Sequence, residues 1–360
     1  MGYMERALEL AREAVGLSSP NPPVGAVVVK DGQIVGEGHT LPPGQAHAEV
    51  VALQQAGERA QDADLYTTLE PCPHFGKTPP CTKEIIKAGI AQVNIALIDP
   101  NPLVNGKGVA ELGRAGIAVQ LGENAEEAQE IVEAHIKFVT TGIPFVVAKY
   151  AMSLDGKIAS SSGDSKWITS EEARCYAQEL RRQSDAVVVG IGTVLTDDPK
   201  LTARDEAGNP RQRQPLRIVL DSSGRLPLTA QLFKEPGTVL VVTANAPGDK
   251  MEALCDAGAH VMSLPAEDGL VNLSALLKAL GERQITSLLV EGGGTLLGSF
   301  FDLDLVDKVV AFVAPVILGG KASPSPVAGS GAALMSDAIR LKRTKIATFG
   351  QDVVVTGYVK

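Results

Sequence analysis

The sequence predicts an α/β protein of two domains, each built on a sheet with helices packed against it. Three observations carry that expectation. Short apolar runs recur along the chain and alternate with segments of helical spacing. An early Asp31-Gly32 pair between two such runs marks a hairpin, so the first sheet is mixed and not purely parallel. The chain is 360 residues long, enough for two cores, and Thr140-Thr141-Gly142-Ile143-Pro144 offers a short break near its middle. The expected domains are therefore 1–143 and 144–360.

In the first half, Met4, Ala7, Leu8, Ala11 and Val15 share one face, which predicts a helix over 3–16. Val24–Val29 and Ile34–Glu37 are the hairpin strands. A helix follows His47, then a strand over Asp64–Thr68, a helix over Thr82–Ala88 whose first turn holds Cys81, and a strand over Val93–Ile98. A helix near 107–115, a strand at Ile117–Leu121 and one long helix over 125–140 complete this half.

The second half opens with a strand over Phe145–Tyr150. Thr169 and Glu172 have capping-box spacing, so a helix is expected over about 170–183. A strand at Ala186–Val189, a loop at Gly190-Ile191-Gly192-Thr193 and a turn at Asp197-Asp198-Pro199 follow. Further strands are expected at Leu216–Leu220, Val239–Thr243, Leu288–Val290 and Lys308–Val313.

Composition narrows the function classes. Charged residues are 21% and hydrophobic ones 44%, as in an ordinary globular protein. A net charge of −9 argues against a general nucleic-acid binder, so any phosphate on a substrate must meet local cations. No apolar run approaches the ~20 residues of a membrane helix. The N-terminus enters an amphipathic helix directly and shows no signal-peptide core, so a cytoplasmic location is expected. Of the four cysteines, Cys175 and Cys255 stand isolated, and no disulfide framework is indicated.

The chemistry concentrates between His47 and Cys81. His47-Ala48-Glu49 followed by Pro71-Cys72 and a second cysteine is the pattern of zinc-dependent deaminases. One imidazole and two thiolates leave the fourth tetrahedral position of zinc for a water, whose pKa then falls toward neutrality. Glu49, close by but not a ligand, is suited to moving protons. A lone His-x-Glu is common by chance, and free cysteines are often buried hydrophobes. That simpler reading does not explain why Cys72 and Cys81 flank a polar loop rich in Pro and Gly. Eight residues, Pro73 to Pro80, separate the cysteines, and this added loop should lie at the rim of the pocket.

A second candidate site is Leu288-Leu289-Val290-Glu291-Gly292-Gly293-Gly294-Thr295, which reads as strand, glycine turn and helix. Free N–H groups at a helix start favour phosphate. The same glycines also fit a tight turn that lacks room for side chains, and no Gly-x-Gly-x-x-Gly fingerprint is present.

The motifs together resemble a known family. Asn21-Pro22-Pro23-Val24-Gly25, Gly36-x-Gly38-His39, Leu69-Glu70-Pro71-Cys72-x-His74-x-Gly76-x-Thr78-Pro79-Pro80-Cys81 and Asp99-Pro100-Asn101-Pro102-Leu103-Val104 are similar, in order, to the bifunctional deaminase–reductases of riboflavin biosynthesis. Ala151-Met152-Ser153-Leu154-Asp155-Gly156, Trp167-Ile168-Thr169, Gly190-x-Gly192-Thr193-x-x-x-Asp197-Asp198-Pro199 and Val290-Glu291-Gly292-Gly293 match the reductase half of that family. The resemblance spans nearly the whole chain and stops near Ser330.

It implies an N-terminal cytidine-deaminase-like α/β/α sandwich and a C-terminal dihydrofolate-reductase-like α/β domain. It implies zinc on His47, Cys72 and Cys81, with Glu49 as proton shuttle. Asn21, His39, His74, Lys77, Thr78 and Asn101 would line the deaminase substrate site, Lys77 facing the ribose phosphate. NADPH would lie against Ala151, Trp167, Thr193, Asp197, Ser222, Gly293, Gly294 and Thr295. The reductase substrate would meet Lys157, Ser165, Arg181, Leu201, Arg204 and Glu291.

The implied reactions are hydrolysis of the 2-amino group of 2,5-diamino-6-ribosylamino-4(3H)-pyrimidinone 5′-phosphate, then reduction of the ribosyl group to a ribityl chain. Small-molecule substrates, no nucleic acid, no membrane and a homo-oligomer, dimer or tetramer, are expected.

Plainer readings accompany several of these residues. Trp167, the only tryptophan, would fit a core, Arg181 and Arg182 a solvated helix face, and Asp197 a turn before Pro199. His135 and His260 read as structural. A nucleic-acid base deaminase would need a basic, aromatic-bearing face, which −9 charge and 4% aromatics do not suggest. An inactive binding protein would not need every zinc and proton-shuttle position intact.

Overall fold

The computed structural model describes residues 2–76 and 78–359 and divides into two compact units, Met1–Ile143 and Pro144–Lys360. Lys77, expected at the ribose phosphate, lies outside the described residues. Among the described residues no helix is long and apolar enough to cross a membrane.

The first unit contains α1 (Tyr3–Ala14), β1 (Gly25–Lys30), β2 (Gln33–His39), α2 (Ala48–Ala56), β3 (Asp64–Thr67), α3 (Cys81–Lys87), β4 (Gln92–Ile95), α4 (Lys107–Arg114), β5 (Ala118–Leu121), α5 (Ala125–Ile131) and α6 (Glu133–Thr141). The sheet order is β2-β1-β3-β4-β5. β1 runs antiparallel to β2 and β3, whereas β3, β4 and β5 are parallel. The start of β1 therefore shares one edge of the sheet with the ends of β2, β3 and β4.

Alternation along β1 feeds two cores. Val27 and Val29 pack with Met4, Ala7 and Leu8 of α1, while Ala26 and Val28 pack with Ala52, Leu65 and Val93 on the other face. The Gly36-x-Gly38 motif has a packing cause. A Cβ at Gly38 would lie 2.6 Å from both the Ala48 carbonyl oxygen and the Val51 Cβ, and one at Gly36 would collide with the Ala52 carbonyl. The missing side chains let α2 settle directly on β2.

The single helix expected over 125–140 is broken. Val132, 1% exposed, leaves helical geometry at φ −101°, ψ 15° between α5 and α6. The break turns His135 inward, where its Nε2 lies 3.2 Å from the Asp99 carboxylate. Tertiary pairing overrides local helical periodicity here.

The second unit contains β6 (Phe145–Ser153), α7 (Glu171–Gln183), β7 (Ala186–Gly190), α8 (Ile191–Asp197), β8 (Leu216–Leu220), β9 (Val239–Thr243), α9 (Gly248–Asp256), β10 (His260–Ser263), the small β11 (Ala266–Glu267)–β12 (Leu270–Val271) hairpin, α10 (Leu273–Glu282), β13 (Ser287–Val290), α11 (Gly294–Asp302), β14 (Lys308–Ala314), β15 (Lys342–Phe349) and β16 (Asp352–Tyr358). The main sheet order is β10-β9-β8-β7-β13-β6-β14-β16-β15, parallel except at β16 and β15.

Two expectations change in this unit. The Gly190–Thr193 segment is not a loop: Gly190 caps α8, which begins at Ile191. Helix α7 is capped by Ser170, not Thr169. The Ser170 hydroxyl accepts the Ala173 N–H at 3.3 Å and donates to Asp352 at 2.7 Å, so a partner far along the chain sets where the helix starts. The β15–β16 hairpin occupies the stretch in which the sequence showed no motif.

Two candidate active sites

In the first unit, the shared sheet edge collects the metal-type donors. His47 is the N-cap of α2, Glu49 sits in that helix's first turn, Cys81 opens α3, and Cys72 lies in the loop after β3. The His47, Cys72 and Cys81 ligand atoms lie within 4.8 Å of one another. Nδ1 of His47 stands 3.2 Å from Cys81 Sγ and 3.7 Å from Cys72 Sγ. One nitrogen and two sulfurs around a common centre suit zinc with one position left open.

The far ring nitrogen is also engaged. His47 Nε2 lies 3.4 Å from the Thr78 hydroxyl. With a metal held by Nδ1, the hydrogen would sit on Nε2, where Thr78 could accept it and fix the ring. Thr78, expected as a substrate contact, thus has a partner in the metal-binding residue itself.

Electrostatics follow from packing. The Cys81 hydrogen bond, opposed by burial, lowers the Cys72 thiol to about 4, and the same bond together with burial pushes Cys81 up. The hydrogen bond with Cys72 raises His47. Glu49 is 4% exposed, and burial raises its carboxyl above the ordinary range. A carboxyl placed beside the donor set without being one of the three is suited to moving protons.

The remaining expected contacts stand along the same edge. His39 ends β2, paired in register with Gly25, and its Nδ1 lies 3.7 Å from Glu13. Asn21 lies in the loop entering β1, where its N–H donates to the Ser18 carbonyl. Asn101 follows β4; its N–H donates to Asp99, which His135 buttresses. The His74 Nδ1 is buried with no hydrogen-bond partner among the described residues.

In the second unit, β7 leads through α8 to β8 on one side of the sheet, and β13 leads through α11 to β14 on the other. This switch point opens a crevice at the carboxyl ends of the strands, the usual ligand position in open α/β sheets. A cavity of about 500 Å³ lies there, with Gly190, Gly192, Ser222, Arg225, Thr295 and Ser299 on its wall. A Cβ at Gly192 would meet nothing within 4 Å, and one at Gly293 only the Thr193 hydroxyl at 3.6 Å. Gly192 thus leaves bare backbone on the crevice wall, and Gly293 leaves room at the start of α11. Gly294 differs, because its Cβ would lie 2.5 Å from the Ser325 carbonyl. The tight-turn reading therefore fits Gly294, whereas Gly293 leaves room beside its backbone.

The other expected contacts separate into pairs. The Thr193 hydroxyl accepts the Gly293 N–H at 3.2 Å, and Ser165 donates to Asp197 at 3.1 Å. Ser222 accepts the Val271 N–H at 3.1 Å. Trp167 is 72% exposed, which removes the core reading, and the Arg174 guanidinium stacks 4.6 Å over its ring. Lys157 donates to the Ser323 carbonyl, and Leu201 is buried with φ 56°. Arg204 is committed to Thr202, Gly208 and Glu235. Of the expected cofactor contacts, Ser222 and Thr295 are on the cavity wall, and Ala151, Trp167, Thr193, Asp197, Gly293 and Gly294 are not; nor are Lys157 and Arg204.

Arg181 faces inward, which removes the solvated-face reading for it, but its partner is Glu291, itself expected to bind substrate. Arg181 Nε lies 2.6 Å from Glu291 Oε1, and Arg182 pairs with Glu179 along the helix. Sequence reasoning missed a third member. Lys149 Nζ lies 3.8 Å from Glu291 and 5.3 Å over the Phe312 ring, and burial pushes its pKa down despite Glu291. The available signal was one lysine inside the apolar run 145–150.

Both units match known families. Residues 2–97 match the cytidine and deoxycytidylate deaminase zinc-binding region, and residues 144–355 match the RibD C-terminal domain. The chain is similar to the riboflavin biosynthesis protein RibD of Aquifex aeolicus, 44% identical over 98% of this chain and 96% of that protein. It is 41% identical to the Escherichia coli RibD over 98% of this chain and 97% of that one. Among solved structures, Acinetobacter baumannii RibD superposes with a TM-score of 0.88 at 40% identity, covering 99% of this chain and 97% of that one. A Thermotoga maritima diaminohydroxyphosphoribosylaminopyrimidine deaminase/5-amino-6-(5-phosphoribosylamino)uracil reductase gives 0.86 at 38% identity, with coverage of 99% and 97%.

Proposed function

This chain belongs to the RibD family of bifunctional deaminase–reductases in riboflavin biosynthesis, and from that premise we propose which of its residues carry each step. The observation that carries the reading is the Cys₂His donor set with the buried Glu49 carboxyl beside it. When bound, zinc supplies Lewis acidity at the first site and NADPH supplies hydride at the second.

In the first step His47, Cys72 and Cys81 hold the metal. The Glu49 carboxylate takes a proton from the attacking water and returns it to the departing ammonia at C2 of 2,5-diamino-6-ribosylamino-4(3H)-pyrimidinone 5′-phosphate. Asn21, His39, His74 and Asn101 orient the ring, and Lys77 receives the ribose phosphate.

In the second step Ser222 and Thr295 on the crevice wall, with Thr193, Gly293, Gly294, Ala151, Trp167 and Asp197, would hold NADPH. Lys157, Ser165, Leu201 and Arg204 hold the deaminated pyrimidine phosphate. Arg181 and Glu291 act as a pair, and Glu291 also holds Lys149. Lys149, whose ammonium burial destabilises, would give its proton to the imine nitrogen of the ring-opened ribosyl group, while NADPH would supply the hydride to C1′. A cytoplasmic location and assembly into a dimer or tetramer belong to the same proposal; exposed Leu334, Met335, Ile339 and Ile346 near the sheet edge at β15 support the assembly.

The test is product identification. Mass spectrometry of reactions with the diaminopyrimidine phosphate should show the deaminated ribosyl compound without NADPH and its ribityl derivative with NADPH. Unchanged substrate in both reactions would overturn the proposal.

A further inference from the structure

The cavity at the switch point carries one cation on its wall, Arg225, alongside the carboxylates of Glu267, Asp268 and Asp302. Two of those carboxylates are occupied within the protein. Asp302 accepts the Ser330 N–H at 2.8 Å, and Glu267 accepts the Asn272 side chain at 2.7 Å. Arg225 is different. Among the described residues its one partner is Asp221, 3.7 Å away and beyond hydrogen-bond range, and its side chain is 59% exposed.

The placement of Asp221 decides what Arg225 can do. In dinucleotide folds an acidic side chain beyond a central strand reads the ribose hydroxyls of NADH, whereas an arginine accommodates the extra phosphate of NADPH. Asp221 directly follows β8, where an acidic reader would be expected. It is fully buried, however, and its Oδ2 accepts the Leu226 N–H at 2.7 Å, so it shapes the 221–226 turn from inside. Gly224, at φ 74°, packs that turn against Ala246 and Lys250. The turn sends Ser222 and Arg225 to the cavity wall. Ser222 accepts the Val271 N–H there, leaving its own hydrogen to donate.

We propose that Arg225, assisted by Ser222, reads the 2′-phosphate of NADPH and sets the preference of this chain for NADPH over NADH. The inference rests on the crevice being the cofactor site. A guanidinium offers a phosphate two parallel N–H bonds, and with a net charge of −9 the chain has no diffuse positive field to do this instead.

The test is binding, measured by titration calorimetry of NADPH, NADH and adenosine 2′,5′-bisphosphate to the full chain, for wild type, Arg225→Gln and Arg225→Lys. Wild type should prefer NADPH. Arg225→Gln should weaken NADPH and the bisphosphate about tenfold to a hundredfold while leaving NADH unchanged, as expected for one charge-assisted contact. Arg225→Lys should fall between. Far-ultraviolet circular dichroism and the melting temperature should match wild type. A Gln variant that keeps the NADPH preference, or weakens both cofactors equally, would overturn the assignment of Arg225 alone. Wild type binding neither cofactor would overturn the cofactor reading and the assignment with it.

Discussion

Arg181 grips Glu291 through two parallel hydrogen bonds, Nε to Oε1 at 2.6 Å and Nη2 to Oε2 at 2.9 Å, joining α7 to the end of β13. Burial alone would raise the Glu291 carboxyl, but Arg181 and Lys149 together hold it at about 2, below its ordinary 4.5. Because the folded value is the lower one, this contribution to stability is complete above pH 4.5 and is lost as pH falls toward about 2. Glu291→Ala strands two buried cations, and breaking a buried pair in this way costs about 3–5 kcal/mol. Urea unfolding of wild type and variant at neutral pH and at pH 3 should show a large gap that narrows in acid. An equal gap at both pH values would contradict this.

Gly38 holds the helix that carries His47 and Glu49 close to β2. Gly38→Ala places a Cβ 2.6 Å from the Ala48 carbonyl and the Val51 Cβ, so α2 must shift. Overpacking of this kind costs about 1–3 kcal/mol. The variant should melt earlier and bind zinc more weakly, and Gly192→Ala, which meets open space, serves as the control for folding. Full zinc affinity in Gly38→Ala would show that α2 does not need that close approach.

What the sequence disclosed and what it hid follow from these contacts. His47, Glu49, Cys72 and Cys81 were legible because a metal site needs particular atoms, and few sequences supply them in that order. The Gly36-x-Gly38 motif was visible, but its cause was not, since it depends on the approach of α2 to β2. Ser170 in place of Thr169 as the cap, and the break at Val132, depend on Asp352 and Asp99 respectively, partners far away along the chain. Arg181 and Glu291 were each read as reaching for substrate. Their sequence separation concealed that they reach for each other. Lys149 was hidden by its strand, where apolar neighbours dominate the pattern.

Thr78 is placed to act through His47. Removing its oxygen by Thr78→Val leaves Nε2–H without its 3.4 Å partner, and loss of such outer contacts typically weakens metal binding about 10–100-fold. Thr78→Ser should restore affinity. Competition with a chromophoric chelator measures both, and equal zinc affinity in wild type and Thr78→Val would limit Thr78 to substrate binding.

The central claim is that two separate chemistries run on one chain, with Glu49 serving only the first. The most direct measurement is Glu49→Gln, with zinc content, ammonia release and NADPH oxidation followed on the same preparation. The account predicts full zinc occupancy, ammonia release reduced by about 10²–10⁴-fold, and undiminished NADPH oxidation when the already deaminated pyrimidine phosphate is supplied. Ammonia release at the wild-type rate would contradict it.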